Sequence, residues 1–396
     1  VKNVLPTLII RSKVLQRLRT GHPWIYSNEL ARTQKHCEPG QLVNVKTGDG
    51  DWIGRGYYNP LSVIAVRLLT REDVPINEGF FEGKIQQAQT LRERLLPGEE
   101  AYRLVFGEAD GLPGLIIDRY GSVLVTQFLT AGMDRLRDLI LKILINRFQP
   151  TAIIARNDAP SRKLEGLPVE KKLLYGELPA SVVISKNGLS FEVDVLEGQK
   201  TGFFLDQSEN YRALAGLAKG KRVLDAFCYT GAWGLHALHY GATSVLGLDS
   251  SEKAIQQARA NAKQNGMENR ATFQEEEVFD GLRKLLEKDE RYDLIILDPP
   301  SFVKNRKELK DAIRGYKEIN RLAMLLLTTE GILVTCSCSH LMDATIFRSI
   351  LVDAAADAKK SFRIMAWRTQ GPDHPIILGI PETEYLKCVI LQSHPQ

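Results

Sequence analysis

The sequence predicts an α/β protein whose main, mostly parallel sheet follows a small β-barrel and an α+β insert. Three observations carry this prediction. After about Gly188, apolar runs ending in Asp or Cys recur with helical stretches between them. Residues 1–75 instead alternate apolar and polar positions over short segments, and residues 76–185 mix both periods. Period two marks half-buried strands and period 3.6 marks amphipathic helices.

In chain order, the stretch from Gly40 to Thr47 alternates, Gly48 to Asp51 makes a turn, and Trp52–Tyr58 and Ser62–Leu69 alternate again. Strands this short and close suggest a barrel or sandwich over 1–75. Phe80–Leu95 has helical spacing and stops at Pro97-Gly98. Two apolar segments flank Tyr120-Gly121 as a hairpin, Leu136–Phe148 reads as an amphipathic helix, and Ala152–Ala155 as a strand. From 186 to 396, apolar runs begin at Arg222, Ser244, Tyr292 and Gly331, separated by helices such as Glu252–Asn265 and Ala312–Leu327. Continuous apolar strands alternating with helices mean a parallel sheet covered on both faces. Ligands then bind beyond the carboxyl ends of the strands, where these Asp and Cys residues lie.

Of 396 residues, 44% are hydrophobic and 25% charged, which excludes a disordered or low-complexity chain. No apolar run approaches the ~18 residues of a membrane span. The apolar Val4–Ile10 is short and followed by basic residues, so no signal peptide is expected and the protein is expected in the cytoplasm. Five cysteines without a Cys-x-x-Cys pair argue against disulfides and zinc, and no metal is expected. The net charge is +4, yet residues 1–75 carry eleven Lys/Arg against six Asp/Glu. The whole positive excess thus sits in the first fifth of the chain, as in a nucleic-acid-docking module attached to a neutral body. A merely solvated basic face is the alternative.

Asp225-Ala-Phe-Cys-Tyr-Thr-Gly231 follows one predicted strand and opens a helix. Gly231 lets backbone approach a ligand, and the helix start offers unpaired N–H groups. Asp249 ends the next strand, where a carboxylate can accept bonds from both ribose hydroxyls of an adenosine cofactor. The Gly-x-Gly-x-x-Gly fingerprint is absent, so a dinucleotide fits poorly.

These motifs, with Asp249-Ser250 and Asp298-Pro-Pro-Ser-Phe302, resemble those of class I S-adenosylmethionine-dependent methyltransferases. Lys200-Thr-Gly-Phe-Phe-Leu-Asp-Gln207, Thr335-Cys-Ser-Cys-Ser339 and Asp373-His-Pro resemble, more closely, the RlmI-like family of ribosomal RNA 5-methylcytosine methyltransferases, over essentially the whole chain. Gly21-His-Pro-Trp-Ile-Tyr26 resembles the start of that family's PUA domain, an RNA-binding barrel. The resemblance implies a Rossmann-like class I domain over 186–396, a PUA-like barrel over 1–75, large-subunit ribosomal RNA as substrate and a homodimer. It implies S-adenosylmethionine over Phe227, Tyr229, Thr230 and Gly231, with Asp225 at the methionine end and Asp249-Ser250 at the ribose. The third motif, usually Asp-Val-Phe, reads Glu277-Val278-Phe here, with the acid expected at the adenine amino group. For Phe227 and Tyr229, core packing is the competing reading.

The prolines of Asp298-Pro-Pro fix a rigid turn holding Asp298 at the pocket mouth. Such a turn serves amino-group methylation, with Phe302 stacking on the base, or cytosine carbon-5 methylation, which needs a cysteine thiolate to add at carbon-6. Cys336 and Cys338 end the strand that starts at Gly331. The nucleophile of RNA 5-methylcytosine enzymes sits in Thr-Cys-Ser after a Gly-x-Leu-Val strand. Cys338 falls seven residues after Gly331, at its usual place; Cys336 matches the triplet literally but comes two residues early. Strand parity does not separate them, and Cys338 is preferred. For Cys37, Cys228 and Cys388, burial as small hydrophobes is the reading. A second cysteine, three residues after the motif IV Asp in many such enzymes, is Ser301 here.

Extruding a base costs about a few kcal/mol in duplex, which favours single-stranded or opened RNA. Arg11, Lys13, Arg17 and Arg19 are candidate phosphate contacts and Trp24 and Tyr26 candidate stacking residues, with core packing the rival for Trp24. The expected activity is carbon-5 methylation of cytosine in ribosomal RNA. Its rivals are purine amino methylation through Asp298-Pro-Pro and Phe302, and RNA binding without chemistry.

Overall fold

The computed structural model describes residues 5–31, 37–303 and 306–394. The chain divides into two compact units: 1–184 with 193–205 and 372–383, and 185–192 with 206–371 and 384–396.

In the first unit a five-stranded sheet runs in the order Thr7–Ile10, Gln41–Thr47, Trp52–Tyr58, Val66–Thr70, Trp24–Ile25. Its inward residues, among them Leu8, Ile10, Val43, Val45 and Val66, form one core. Gly56 is required by close approach, since a Cβ there would meet the Arg67 carbonyl. A second five-stranded sheet runs Glu170–Gly176, Ala152–Asn157, Val123–Phe128, Leu115–Tyr120, Ala101–Phe106, with the expected hairpin antiparallel at Tyr120-Gly121. Helices Glu78–Leu95 and Arg137–Phe148 pack into its core. The two sheets are joined by Tyr57, which belongs to the second core and whose hydroxyl donates to the Pro113 carbonyl at 2.7 Å.

The segment 372–383, read with the catalytic part in the sequence, clusters with this first unit. Asp373 explains why. Its Oδ2 accepts from the Arg103 amide at 2.9 Å, and its carbonyl accepts from Arg92 at 2.8 Å. Arg92 is itself buried on Asp110, and His374 is buried with its Nδ1 2.9 Å from the Asp373 carboxylate. Asp373-His374 is therefore a clamp within the first unit.

The second unit contains the predicted α/β sheet. Its strands are β1 (Arg222–Ala226), β2 (Ser244–Asp249), β3 (Ala271–Glu275), β4 (Tyr292–Leu297), β5 (Leu327–Ser337), β6 (Ser361–Arg368) and β7 (Lys387–His394). Their order is β3-β2-β1-β4-β5-β7-β6. The first five are parallel, and β7 runs antiparallel to both β5 and β6. Helices α1 (Ala232–His239), α2 (Glu252–Gln264), α3 (Val278–Glu287), α4 (Leu309–Leu326) and α5 (Ala344–Asp357) connect them. Their starts are capped by residues the sequence supplies: Ser251, Glu277 and Asp343 accept from the first-turn amides of α2, α3 and α5. Strand order reverses between β1 and β4, so the crevice for a ligand opens at the carboxyl ends of these two strands. Among the described residues, no helix is long and apolar enough to cross a membrane.

Candidate active site

The turn after β1 is bent by three left-handed residues, Phe227 (φ 65°), Tyr229 (φ 46°) and Gly231 (φ 82°). Two of them carry aromatic side chains, and such conformations cost about 1–3 kcal/mol each and cluster at ligand sites. The loop is held by the Cys228 amide on the Leu248 carbonyl and by buried Asn261, which donates to the Thr230 carbonyl at 3.0 Å. Thr230 is itself buried. Gly231 also has no room for a side chain, because a Cβ would lie 2.9 Å from the Phe273 ring.

Asp225, at the end of β1, is fully buried. Its Oδ2 accepts from the Gly234 amide of α1 at 2.8 Å, while its Oδ1 has no hydrogen-bond partner among the described residues. Burial, with Asp298 and Asp249 adding like charge, pushes its carboxyl up to about 8. An unsatisfied buried oxygen costs about 1–3 kcal/mol, so a cationic N–H donor from a ligand fits this position. Asp249 is half-buried, its carboxylate accepting from the amides of Tyr229 and Ser251, both at 2.9 Å. Exposed Ser250 lies between these contacts. Exposed Glu277 caps α3 through Oε2 on the Phe279 amide at 2.8 Å, and Val278 beneath it is core.

Asp298 follows β4 and is half-buried. Its amide donates to the Ala226 carbonyl at 3.4 Å, which ties the ends of β1 and β4 together. Its Oδ2 accepts from two side chains, Gln207 at 3.0 Å and the Trp233 indole at 2.9 Å. Asn210 fixes the Gln207 amide by donating to its Oε1 at 2.7 Å. Phe302 is half-buried in an aromatic cluster, 4.7 Å from the Tyr316 ring and 6.4 Å from Phe227. Much of its face is thus used in packing.

The two candidate cysteines separate sharply. Cys336 is fully buried within β5, facing Cys388 across the β5–β7 ladder, and burial followed by its contact with Cys388 pushes its thiol up. Cys338 lies one residue past the end of β5 and is part-exposed. The expectation that both cysteines end the strand is corrected to that extent: β5 stops at Ser337, whose hydroxyl is drawn to Tyr316 at 3.2 Å. Beyond it, Ser339 Oγ lies 2.8 Å from Ser301 Oγ and 3.3 Å from the Tyr316 hydroxyl. Burial pushes that tyrosine up to about 12, so it stays protonated. The Asp298-Pro-Pro-Ser301 turn and the Cys338 turn are therefore stitched together by hydroxyls.

Gln207, Trp233, Tyr316 and Lys387 are the residues that sequence reasoning left without a role. Gln207 stood in a quoted motif, but nothing in its spacing predicted the partners it has here.

In the first unit, Arg11 is exposed and donates to the Leu30 carbonyl at 3.2 Å. Lys13 and Arg19 are exposed and hold no ion pair among the described residues. Arg17 is committed internally, ion-paired to Glu29 at 2.5 Å and stacked 4.6 Å over the Tyr26 ring. Trp24 is half-buried, its indole donating to Glu108 at 2.9 Å. Among the described residues, no cluster of three or more His, Cys, Asp or Glu is placed to hold a metal.

Comparison with known proteins agrees with this geometry. Residues 8–71 match a PUA-like domain, and residues 168–384 match the S-adenosylmethionine-dependent methyltransferase family. The chain is 43% identical over 379 residues to the ribosomal RNA large subunit methyltransferase I of Shewanella denitrificans, covering 94% of this chain and 96% of that one. It is 43% identical over 394 residues to the protein of the same name from Tolumonas auensis, covering 98% and 99%. A solved methyltransferase in complex with SAH shares the fold at a TM-score of 0.86, with 22% identity over 98% of this chain and all of that one. The chain belongs to the S-adenosylmethionine-dependent methyltransferase family, in the group whose curated members are called ribosomal RNA large subunit methyltransferase I.

Proposed function

We propose that the protein methylates carbon-5 of a cytosine in large-subunit ribosomal RNA through a covalent Cys338 adduct. S-adenosylmethionine supplies the methyl group as an activated sulfonium, held by Asp225, the Phe227–Gly231 loop, Asp249-Ser250 and Glu277-Val278. The observation that carries the reading is the contrast between the cysteines: Cys338 is part-exposed beside the Asp298 turn, whereas Cys336 is buried against Cys388. Cytosine carbon-5 is a poor nucleophile. Addition of the Cys338 thiolate at carbon-6 pushes electron density onto carbon-5, which then takes the methyl group. Loss of the carbon-5 proton to a base and departure of the thiolate restore the ring. Asp298, oriented by Gln207 and Trp233, hydrogen-bonds the base edge and steadies the adduct.

The PUA-like barrel supplies phosphate contacts, with Arg11, Lys13 and Arg19 the available cations and Arg17 holding Glu29. A single-stranded or opened RNA segment is the substrate this arrangement favours.

The test compares wild type with Cys338→Ala on unmodified ribosomal RNA, using tritium-labelled methyl donor and nuclease digestion to identify the nucleoside. Labelled 5-methylcytidine from wild type and none from the variant is the expected result. A labelled N-methyl purine with Cys338→Ala still active would transfer the reaction to Asp298 and Phe302. RNA binding with no labelled nucleoside at all would leave a binding module.

A further inference from the structure

Lys387 opens β7 and is buried, with only 5% of its surface exposed. Its Nζ donates to the Ser339 carbonyl at 2.7 Å and to the Tyr385 carbonyl at 2.8 Å. Neither acceptor carries charge, and among the described residues no carboxylate lies within ion-pair distance of it. Buried ammonium groups are ordinarily paired, because desolvation is costly. This one is anchored on the carbonyl of the residue following Cys338, and the Cys338 sulfur is the group whose charge most favours the ammonium, with Asp343 and Glu384 contributing less. Burial lowers the ammonium to about 8, so it remains mostly charged at pH 7. Tyr316, whose hydroxyl is protonated and bound to Ser337 and Ser339 on either side of Cys338 in the chain, also feels the charge of the sulfur.

We propose that Lys387 is a positioning residue that holds Cys338 as a thiolate. The thiol proton leaves to solvent, and the sulfur becomes the anion that the buried cation otherwise lacks. An ordinary thiol, with a pKa of about 8.5, is only a few per cent ionised at pH 7, so a cysteine nucleophile needs such a neighbour. The two carbonyl bonds fix the ammonium on the Cys338 turn, so that charge is delivered there and not to Cys336. The inference rests on the reading of Cys338 as nucleophile, but its measurement does not require turnover.

The experiment is the pH dependence of Cys338 alkylation by iodoacetamide in the full-length, cofactor-free protein, with the modified peptide located by mass spectrometry. The other four cysteines are buried, so native alkylation reports Cys338. Wild type is expected to show an apparent thiol pKa below the ordinary value. Lys387→Gln keeps an N–H donor for the carbonyls but removes the charge; it is expected to raise that pKa by about one unit and slow alkylation at pH 7 about tenfold. Lys387→Arg is expected to restore most of the rate. Equal alkylation profiles for wild type and folded Lys387→Gln would overturn the proposal and reduce Lys387 to a turn anchor. If Lys387→Gln fails to fold, a wild-type thiol titrating at or above 8.5 overturns it alone. Failure of the carbon-5 reading is a separate outcome, seen as an active Cys338→Ala.

Discussion

The two halves of the crevice are held by different means. On the cofactor side, every carboxylate is fixed by backbone: Asp225 by the Gly234 amide, Asp249 by the Tyr229 and Ser251 amides, Glu277 by the Phe279 amide. On the chemistry side, side chains hold side chains: Gln207 and Trp233 fix Asp298, and Ser301 and Tyr316 fix Ser339. Backbone donors survive substitution of the residue that bears them, so the first half depends on its carboxylates and on loop conformation. The second depends on each member of a network, and losses there should fall on turnover while cofactor affinity stays.

The largest effect expected from this contrast is at Asp225. Asp225→Ala removes a buried acceptor whose second oxygen has no hydrogen-bond partner among the described residues, and hydrogen bonds to charged groups contribute about 1.5–3 kcal/mol. Cofactor affinity is expected to fall about a hundredfold by calorimetry, with the fold retained. A change within threefold would place the methionine end elsewhere. The same carboxyl gives a pH signature. Its folded value, near 8, lies above the unfolded value of about 3.9, so its neutral form favours the folded state. That contribution is complete below pH 4 and is lost progressively as pH rises to 8. In cofactor-free protein, Asp225→Asn should therefore lose less thermal stability than wild type between pH 4 and 8. Parallel melting curves would contradict the buried-neutral state.

Gly231→Ala comes next, because it strains the loop that gives the cofactor half its shape. The substitution forces a Cβ onto a left-handed residue and within 2.9 Å of the Phe273 ring. Overpacking of this kind costs about 1–3 kcal/mol. A Tm lowered by several degrees, with weaker cofactor binding, is expected. Adding Phe273→Leu should recover the steric part only, leaving the backbone strain; full recovery would mean that φ carries no cost.

Trp233→Phe probes the other half. The ring stays in the core against Tyr211, but Asp298 Oδ2 loses the indole N–H donor. We expect kcat about tenfold lower, near 1.4 kcal/mol, and cofactor affinity within twofold. Combined with Gln207→Leu, the loss should exceed the sum, since either donor alone partly orients the carboxylate. Strict additivity would deny that the two act as one device.

The same contrast explains what could be read from the sequence. The strands of the α/β sheet, the Asp225–Gly231 loop and Asp249 are encoded locally: an apolar run, a turn, a helix start and a carboxylate at the next strand end. The Trp233 bond to Asp298 spans 65 positions, that of Gln207 spans 91, and the Lys387 bond to Ser339 spans 48. No periodicity carries such pairings. β3, β6 and β7 were not read either; β3 and β6 are edge strands with few buried residues, and neither has the continuous apolar run of β1, β2, β4 and β5. The Asp373-His374 motif was visible but had no role, since its partners Arg92 and Arg103 lie more than 250 positions earlier. Cys338 could be preferred from its distance to Gly331, but the argument against Cys336 needed the β5–β7 register that sets it opposite Cys388.

The smallest effect is expected at Ser301, where related chemistry elsewhere uses a second cysteine. Its hydroxyl joins the Asp298 turn to the Cys338 turn through Ser339 and also donates to the Val303 carbonyl at 3.0 Å. The residue is exposed, so losing the hydroxyl is expected to cost about 0.5–1 kcal/mol, near the low end for a neutral hydrogen bond. Ser301→Ala should then slow single turnover about threefold by loosening the Cys338 turn, with no covalent RNA–protein species building up on a denaturing gel. If Ser301 itself takes part in releasing the product, the outcome is different in kind: turnover stalls after methyl transfer and the adduct accumulates. Ser301→Cys separates the two further. A thiol here cannot hold Ser339 as tightly as a hydroxyl, so a purely bridging role predicts the same threefold loss, whereas a releasing role predicts activity at or above that of wild type.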